Sequence, residues 1–123
     1  MINFKITTQN IYKKCIPNKY PELLKFEVDF NIIINDNIFF SEPNFPIFEF
    51  IYFVNKWEIQ KHIPFEYISI ETNDNPLISF IYKENGWMIK SPWQLFKCDI
   101  VFSNIEIINA LNELQNQINL ILD

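Results

Sequence analysis

The chain has no arginine; its ten cations are all lysines, set against fifteen aspartates and glutamates. No guanidinium fork is therefore available for two-point recognition of guanine, phosphate or carboxylate. The net charge of -5 and the pI near 4.8 also argue against a phosphate-backbone binder, whose affinity comes from clustered basic residues. Glycine occurs once, at Gly86, so a phosphate cradle built from several glycines at a helix start is excluded. Histidine also occurs once, at His62, and any Ser-His or Cys-His mechanism has to pass through it. No GxSxG or comparable nucleophile motif accompanies it. Cys15 and Cys98 lack CxxC spacing and read as two buried free thiols in a reducing compartment. His62, Cys15 and Cys98 match no zinc-ligand spacing, so neither metal nor cofactor is expected. The longest apolar stretch, Phe45 to Val54, is interrupted by Pro46 and Glu49 and is too short to span a bilayer. With no apolar leader after the N-terminus, a cytoplasmic location without membrane contact is expected.

What the chain has in abundance is large apolar rings. Aromatics make up 17% of the residues and hydrophobic residues 49%. At 123 residues the expectation is one domain, residues 1–123, able to bury roughly two thirds of its unfolded surface without staples. Ile2 to Thr7 alternates and predicts a strand, and Thr8 to Glu22 reads as a loop or short irregular helix. Leu24 to Ile34 is the clearest strand, with Phe26, Val28, Phe30, Ile32 and Ile34 on one face and Glu27 and Asp29 on the other. Asn35-Asp36-Asn37 predicts a turn leading into a short strand, Ile38 to Phe40. Ser41 or Asn44 as cap and Pro43 or Pro46 in the first turn predict a helix over Phe45 to Lys61. That helix carries a core stripe of Ile47, Phe50, Ile51, Val54 and Trp57, and a second stripe of Phe48, Tyr52 and Ile59.

Strands are expected again over Phe65 to Thr72, Leu77 to Lys83, Trp87 to Lys90 and Leu95 to Phe102. In the first of these, Ile68 and Ile70 share one face and Tyr67, Ser69 and Glu71 the other. In the last, Phe96, Cys98, Ile100 and Phe102 point inward. Asn85-Gly86 is the strongest short hairpin signal in the chain, since both central residues of a type I′ turn need positive φ. Ser103 with Glu106 three positions later predicts a capped final helix, its apolar face running from Ile107 to Ile121. The resulting fold class is α+β: an antiparallel sheet of about five to seven strands with two helices packed on one face.

This arrangement leaves an acidic sheet face outward, on which Glu27, Asp29, Tyr67, Ser69, Glu71 and Asp99 are placed. Glu27 and Asp29 also invite a test as a catalytic carboxylate pair, but the polar side of a two-layer domain explains them as well. Trp87 reads as a core ring. Trp93, following a proline at a strand break, is open to either core or contact, with Gln94 beside it. The candidate contact set is Glu27, Asp29, Tyr67, Glu71, Trp93, Gln94 and Asp99.

Glu42-Pro43-Asn44-Phe45-Pro46, the Ile68 to Leu77 segment and Trp87 to Gln94 carry a likeness in element order. On these the chain resembles small acidic immunity proteins of bacterial polymorphic toxin systems, and short acidic proteins of Bacillus-like bacteria. The resemblance implies a cytoplasmic protein-binding module that neutralises a cognate toxin by direct binding, without catalysis. The charge balance agrees with a basic protein partner. Two other readings stay open: a homodimeric structural or regulatory protein joined through the second stripe, and an enzyme using the acidic residues.

Overall fold

The computed structural model describes residues 1–7 and 16–122. The expected loop or irregular helix over Thr8 to Glu22 and the burial of Cys15 therefore fall wholly or partly outside the described residues. Six strands and two α-helices follow one another: β1 (Ile2–Ile6), β2 (Val28–Ile34), β3 (Asn37–Phe45), α1 (Ile47–Lys56), β4 (Phe65–Tyr67), β5 (Ile78–Lys83), β6 (Gly86–Lys90) and α2 (Asn104–Leu122). The α+β class is as expected, but the strands form two antiparallel sheets of three, in the orders β1-β2-β3 and β4-β5-β6. A single sheet is not formed because the Leu95 to Phe102 segment, expected as a strand, bridges the two instead. The Leu95 N–H donates to the Phe39 carbonyl of β3 at 2.8 Å, while Phe102 and Trp87 exchange backbone hydrogen bonds at 2.7 and 2.8 Å. Cys98 and Phe102 are buried there, whereas Ile100 is exposed rather than inward.

Alternation sets the inner faces. Ile2, Phe4 and Ile6 of β1 and Val28, Phe30, Ile32 and Ile34 of β2 are buried, with more exposed residues between them. β2 starts at Val28 rather than Leu24, because Glu22–Lys25 closes a 3-10 turn first. Asn35 and Asp36, at φ 49° and 68°, make the two-residue turn between Ile34 and Asn37 that a type I′ hairpin requires. The rings of the two inner faces meet around Phe50 of α1. Its centroid lies 5.7 Å from Phe30, 5.6 Å from Phe45, 5.8 Å from Phe65 and 5.5 Å from Tyr67. Phe4 of the first sheet meets Phe80 of the second at 6.1 Å.

The second hairpin corrects the expected turn. Glu84 and Asn85 hold the positive φ values, 54° and 64°, and Gly86 already belongs to β6, opposite Lys83. Gly86 is needed for closeness rather than for φ. A Cβ there would come within 2.6 Å of the Phe102 carbonyl oxygen and would collide with the Val101 side chain.

The first helix is shorter than expected. It begins after Pro46, with no side-chain cap, and ends at Lys56, where Trp57 turns extended. β3 extends through Ser41 and Asn44, so neither acts as the cap. Trp57 leaves the helix to pack its ring against Phe65, Phe80 and Trp87, and its Nε1–H donates to the Ile63 carbonyl at 2.7 Å. Within the second stripe, Phe48 is covered by Phe26 and Tyr52 remains exposed beneath the Lys56 ammonium.

The two helices do not share one face of a common sheet. α1 packs on β4 and the Glu22–Lys25 turn, and α2 lies along β1. The expected capping box forms: the Glu106 N–H donates to Ser103 Oγ at 3.1 Å, and the Ser103 N–H donates to Glu106 Oε1 at 3.2 Å. α2 also protects the free edge of β1. The Gln117 amide accepts from the Ile6 N–H at 2.9 Å and donates to the Phe4 carbonyl at 2.8 Å, taking the place of a neighbouring strand's peptide.

Candidate functional site

Bulges and turns bring distant acids together at one end of the core. Glu27 directly precedes β2. Glu42 lies opposite Phe30 in the sheet register, beyond a bulge between Val28 and Phe30. The chain between β4 and β5 contributes Ser69, Glu71 and Thr72, and Trp93 follows Pro92. These residues, with Asn44, Phe45, Pro46 and Leu77, line a cleft of about 210 Å³, and among the described residues no lysine lines it.

Behind the lining, a buried polar pair packs on Phe45 through the Tyr67 ring, 5.6 Å between centroids. Tyr67 was expected on the outward face, but it is 0% exposed and Ser69 is buried with it, while Ile68 and Ile70 point out. The inversion follows from pairing: Phe65 and Tyr67 lie opposite Phe80 and Ile78 on the core face. β4 also stops at Tyr67, short of the expected Thr72. The Tyr67 hydroxyl donates to Glu49 Oε1 of α1 at 2.7 Å. Burial, then the bond to Glu49, raises the phenol's pKa well above its ordinary value. Glu49 is itself buried in the first turn of α1, where a carboxylate is favoured by the helix dipole.

The Glu71 carboxyl is also held above the usual range. Its partial burial is the first cause, followed by a hydrogen bond with Glu27 and the negative charges of Glu27, Glu49 and Glu42. The folded chain thus binds this proton more tightly than the unfolded chain, and the contribution to stability falls as pH rises from the unfolded to the folded value. Glu71→Gln is expected to raise stability at neutral pH by less than about 1 kcal/mol, the exposed site being screened by solvent. The gain should fade below about pH 4, where the carboxyl is protonated in both states. Urea melts of both proteins across that range check it, and a gain independent of pH would contradict the assignment.

Trp93 belongs to both core and rim. Its half-buried ring lies parallel to Phe40, 6.3 Å between centroids, and its Nε1–H donates to Asp74 Oδ2 at 2.8 Å. Trp87 is fully buried and donates to Asn104 Oδ1 at 2.6 Å. Of the seven residues singled out from sequence, Glu27, Glu71 and Trp93 line the cleft, and Tyr67 packs on its lining residue Phe45. The other three lie elsewhere. Asp29 is exposed on the outer face of β2, and Asp99 pairs with Lys97 at 3.8 Å on the surface. The Gln94 side chain accepts the Ser91 N–H at 3.1 Å and borders a separate open depression beside Lys90.

Glu42 and Glu49 escaped the sequence reading. Extending the strand past Phe40 would have placed Glu42 in phase with Phe40, on the inner side. No local signal marks Glu49 as the partner of Tyr67. His62 caps a 3-10 turn at φ 57° and stacks on Tyr82, with ring centroids 4.0 Å apart. Among the described residues no group of His, Cys, Asp and Glu side chains is arranged to hold a metal ion, and no helix is long and apolar enough to cross a membrane.

A family model described as a domain of unknown function, DUF7878, matches residues 2–123. No curated protein and no solved structure matches the chain.

Proposed function

The chain belongs to the DUF7878 family, and we propose that it is a cytoplasmic protein-binding module, an immunity protein that neutralises a cognate bacterial toxin by direct contact. The observation that carries this reading is the convergence of Glu27, Glu42 and Glu71 on a cleft that no lysine lines among the described residues. Burial and then the neighbouring acids raise the Glu71 carboxyl, and no lysine among the described residues lines the cleft to offset that crowding of negative charge. A lysine or arginine from a basic partner would relieve it by donating charge-assisted hydrogen bonds to the Glu27, Glu42 and Glu71 carboxylates. The net charge of -5 adds a long-range field that speeds encounter with such a partner. The module binds and blocks; no turnover is ascribed to it.

The test is co-expression with the protein encoded immediately beside it. Growth arrested by the neighbour should be restored by the wild-type chain, and the purified pair should associate. The reading is abandoned if the neighbour is neither toxic nor bound. Glu27→Lys combined with Glu71→Lys should lower the association rate about tenfold or more and flatten its salt dependence. An unchanged rate would move the docking surface away from the cleft.

A further inference from the structure

We propose that the segment from Ile68 to Asn75 is a preformed anchor loop, and that its two outward isoleucines seat in an apolar patch of the same basic partner protein. The inference rests on the reading of the neighbouring cleft as the docking site, and it adds the apolar half of that interface.

The loop is inverted relative to an ordinary surface loop. Ser69 is 3% exposed, whereas Ile68 is 42% and Ile70 77% exposed. Polar groups cross-brace the loop. Asn75 Oδ1 accepts the Ser69 N–H at 2.9 Å, and Asn75 Nδ2 donates to the carbonyls of Ser69 and Thr72 at 2.9 and 2.8 Å. The Glu71 N–H donates to Ser69 Oγ at 3.2 Å and the Asp74 N–H to Thr72 Oγ1 at 3.0 Å. Asp74 in turn accepts from the Trp93 indole at 2.8 Å, which ties the loop to the rim of the cleft.

A single exposed isoleucine needs no explanation. Here two are displayed by one cross-braced loop whose next residues, Glu71 and Thr72, line the acidic cleft. Apolar groups flanked by charge are the anatomy of a recognition surface. A loop already held in shape also loses little conformational entropy on docking. The charge beside the isoleucines selects the occupant: a protein surface with an apolar patch next to lysine or arginine.

Two labelled peptides serve as probes: oligolysine, and the same number of lysines interspersed with leucine. Fluorescence anisotropy should show the leucine peptide binding the wild-type chain about tenfold more tightly than oligolysine. Ile68→Ser with Ile70→Ser should abolish that advantage, leave oligolysine affinity unchanged and leave the thermal midpoint in place, since both side chains are exposed. A wild-type protein with no leucine preference, or a double variant that keeps it, overturns the proposal. So does a wild-type dimer in sedimentation that the double variant converts to monomer, because the isoleucines would then serve self-association. Oligolysine affinity in Glu27→Lys/Glu71→Lys judges the cleft separately: no loss there removes the cleft reading, while a leucine preference that the serine variant abolishes still assigns the loop.

Discussion

Replacing Phe50 by alanine should cost about 3–5 kcal/mol of folding stability, the range for removing a fully enclosed aromatic side chain. Phe50 is 0% exposed and is the one α1 ring that faces both sheets, touching Phe4 and Phe30 on one side and Phe65 and Tyr67 on the other. The surrounding strands are bonded into their ladders and have little freedom to collapse into the void, which places the expected cost in the upper part of that range. A domain of this size commonly has about 5–15 kcal/mol in total, so the variant should be marginal at room temperature. Urea unfolding gives the midpoint, and a loss below about 1 kcal/mol would mean the two sheets are not joined through this ring. The cleft should suffer as well. Phe45 lines it, Tyr67 packs on Phe45, and both rings lean on Phe50. Binding of the basic partner proposed for the cleft should therefore weaken even under conditions where the variant is folded.

Gly86→Ala should be the second most damaging change, at about 3 kcal/mol, the upper part of the usual overpacking range. Exchanging glycine for alanine at a compatible site ordinarily stabilises by about 0.4–1 kcal/mol, because the unfolded chain loses freedom. The sign reverses here. The obstacle is a backbone carbonyl, that of Phe102 at 2.6 Å from the new Cβ, which has no rotamer by which to move aside. Relief would require separating β6 from the Phe102 segment and breaking the two Trp87–Phe102 bonds that tie them. Asn85→Gly is the control. Asn85 has φ 64°, so glycine is accommodated there and the melt should hardly change. If Gly86→Ala melts like wild type, the close approach is not a constraint on this fold.

At this hairpin local preference decides only part of the structure. Asn-Gly signalled a hairpin and a hairpin is present, but the turn sits one residue earlier, on Glu84 and Asn85. Positive φ is a local preference, satisfied by asparagine at either register. The approach of Phe102, sixteen positions along the chain from Gly86, is not local and settles which register is used. Trp57 is a similar case. Helical spacing carried the expected helix through it to Lys61, yet contacts with Phe80 and Trp87 draw the ring out of the helix. Tyr67 and Ile68 had the right period and the wrong phase. Alternation defines two faces without stating which is covered, and Phe80 and Ile78 across the ladder cover that of Tyr67.

Short-range order was legible because its causes lie within a few residues. The alternation of β1 and β2, the Asn35-Asp36 turn, the Ser103–Glu106 cap and the acidic, arginine-free composition need no distant partner to be read. The division into two sheets, the phase of Tyr67 and the meeting of Glu27, Glu42 and Glu71 arise from contacts between segments far apart in the chain. Such contacts are chosen by how rings and backbones fit once the chain has collapsed. No window of neighbouring residues carries that information, which is why Glu27 and Glu71 could be named in advance, while Glu42 and the cleft the three acids share could not.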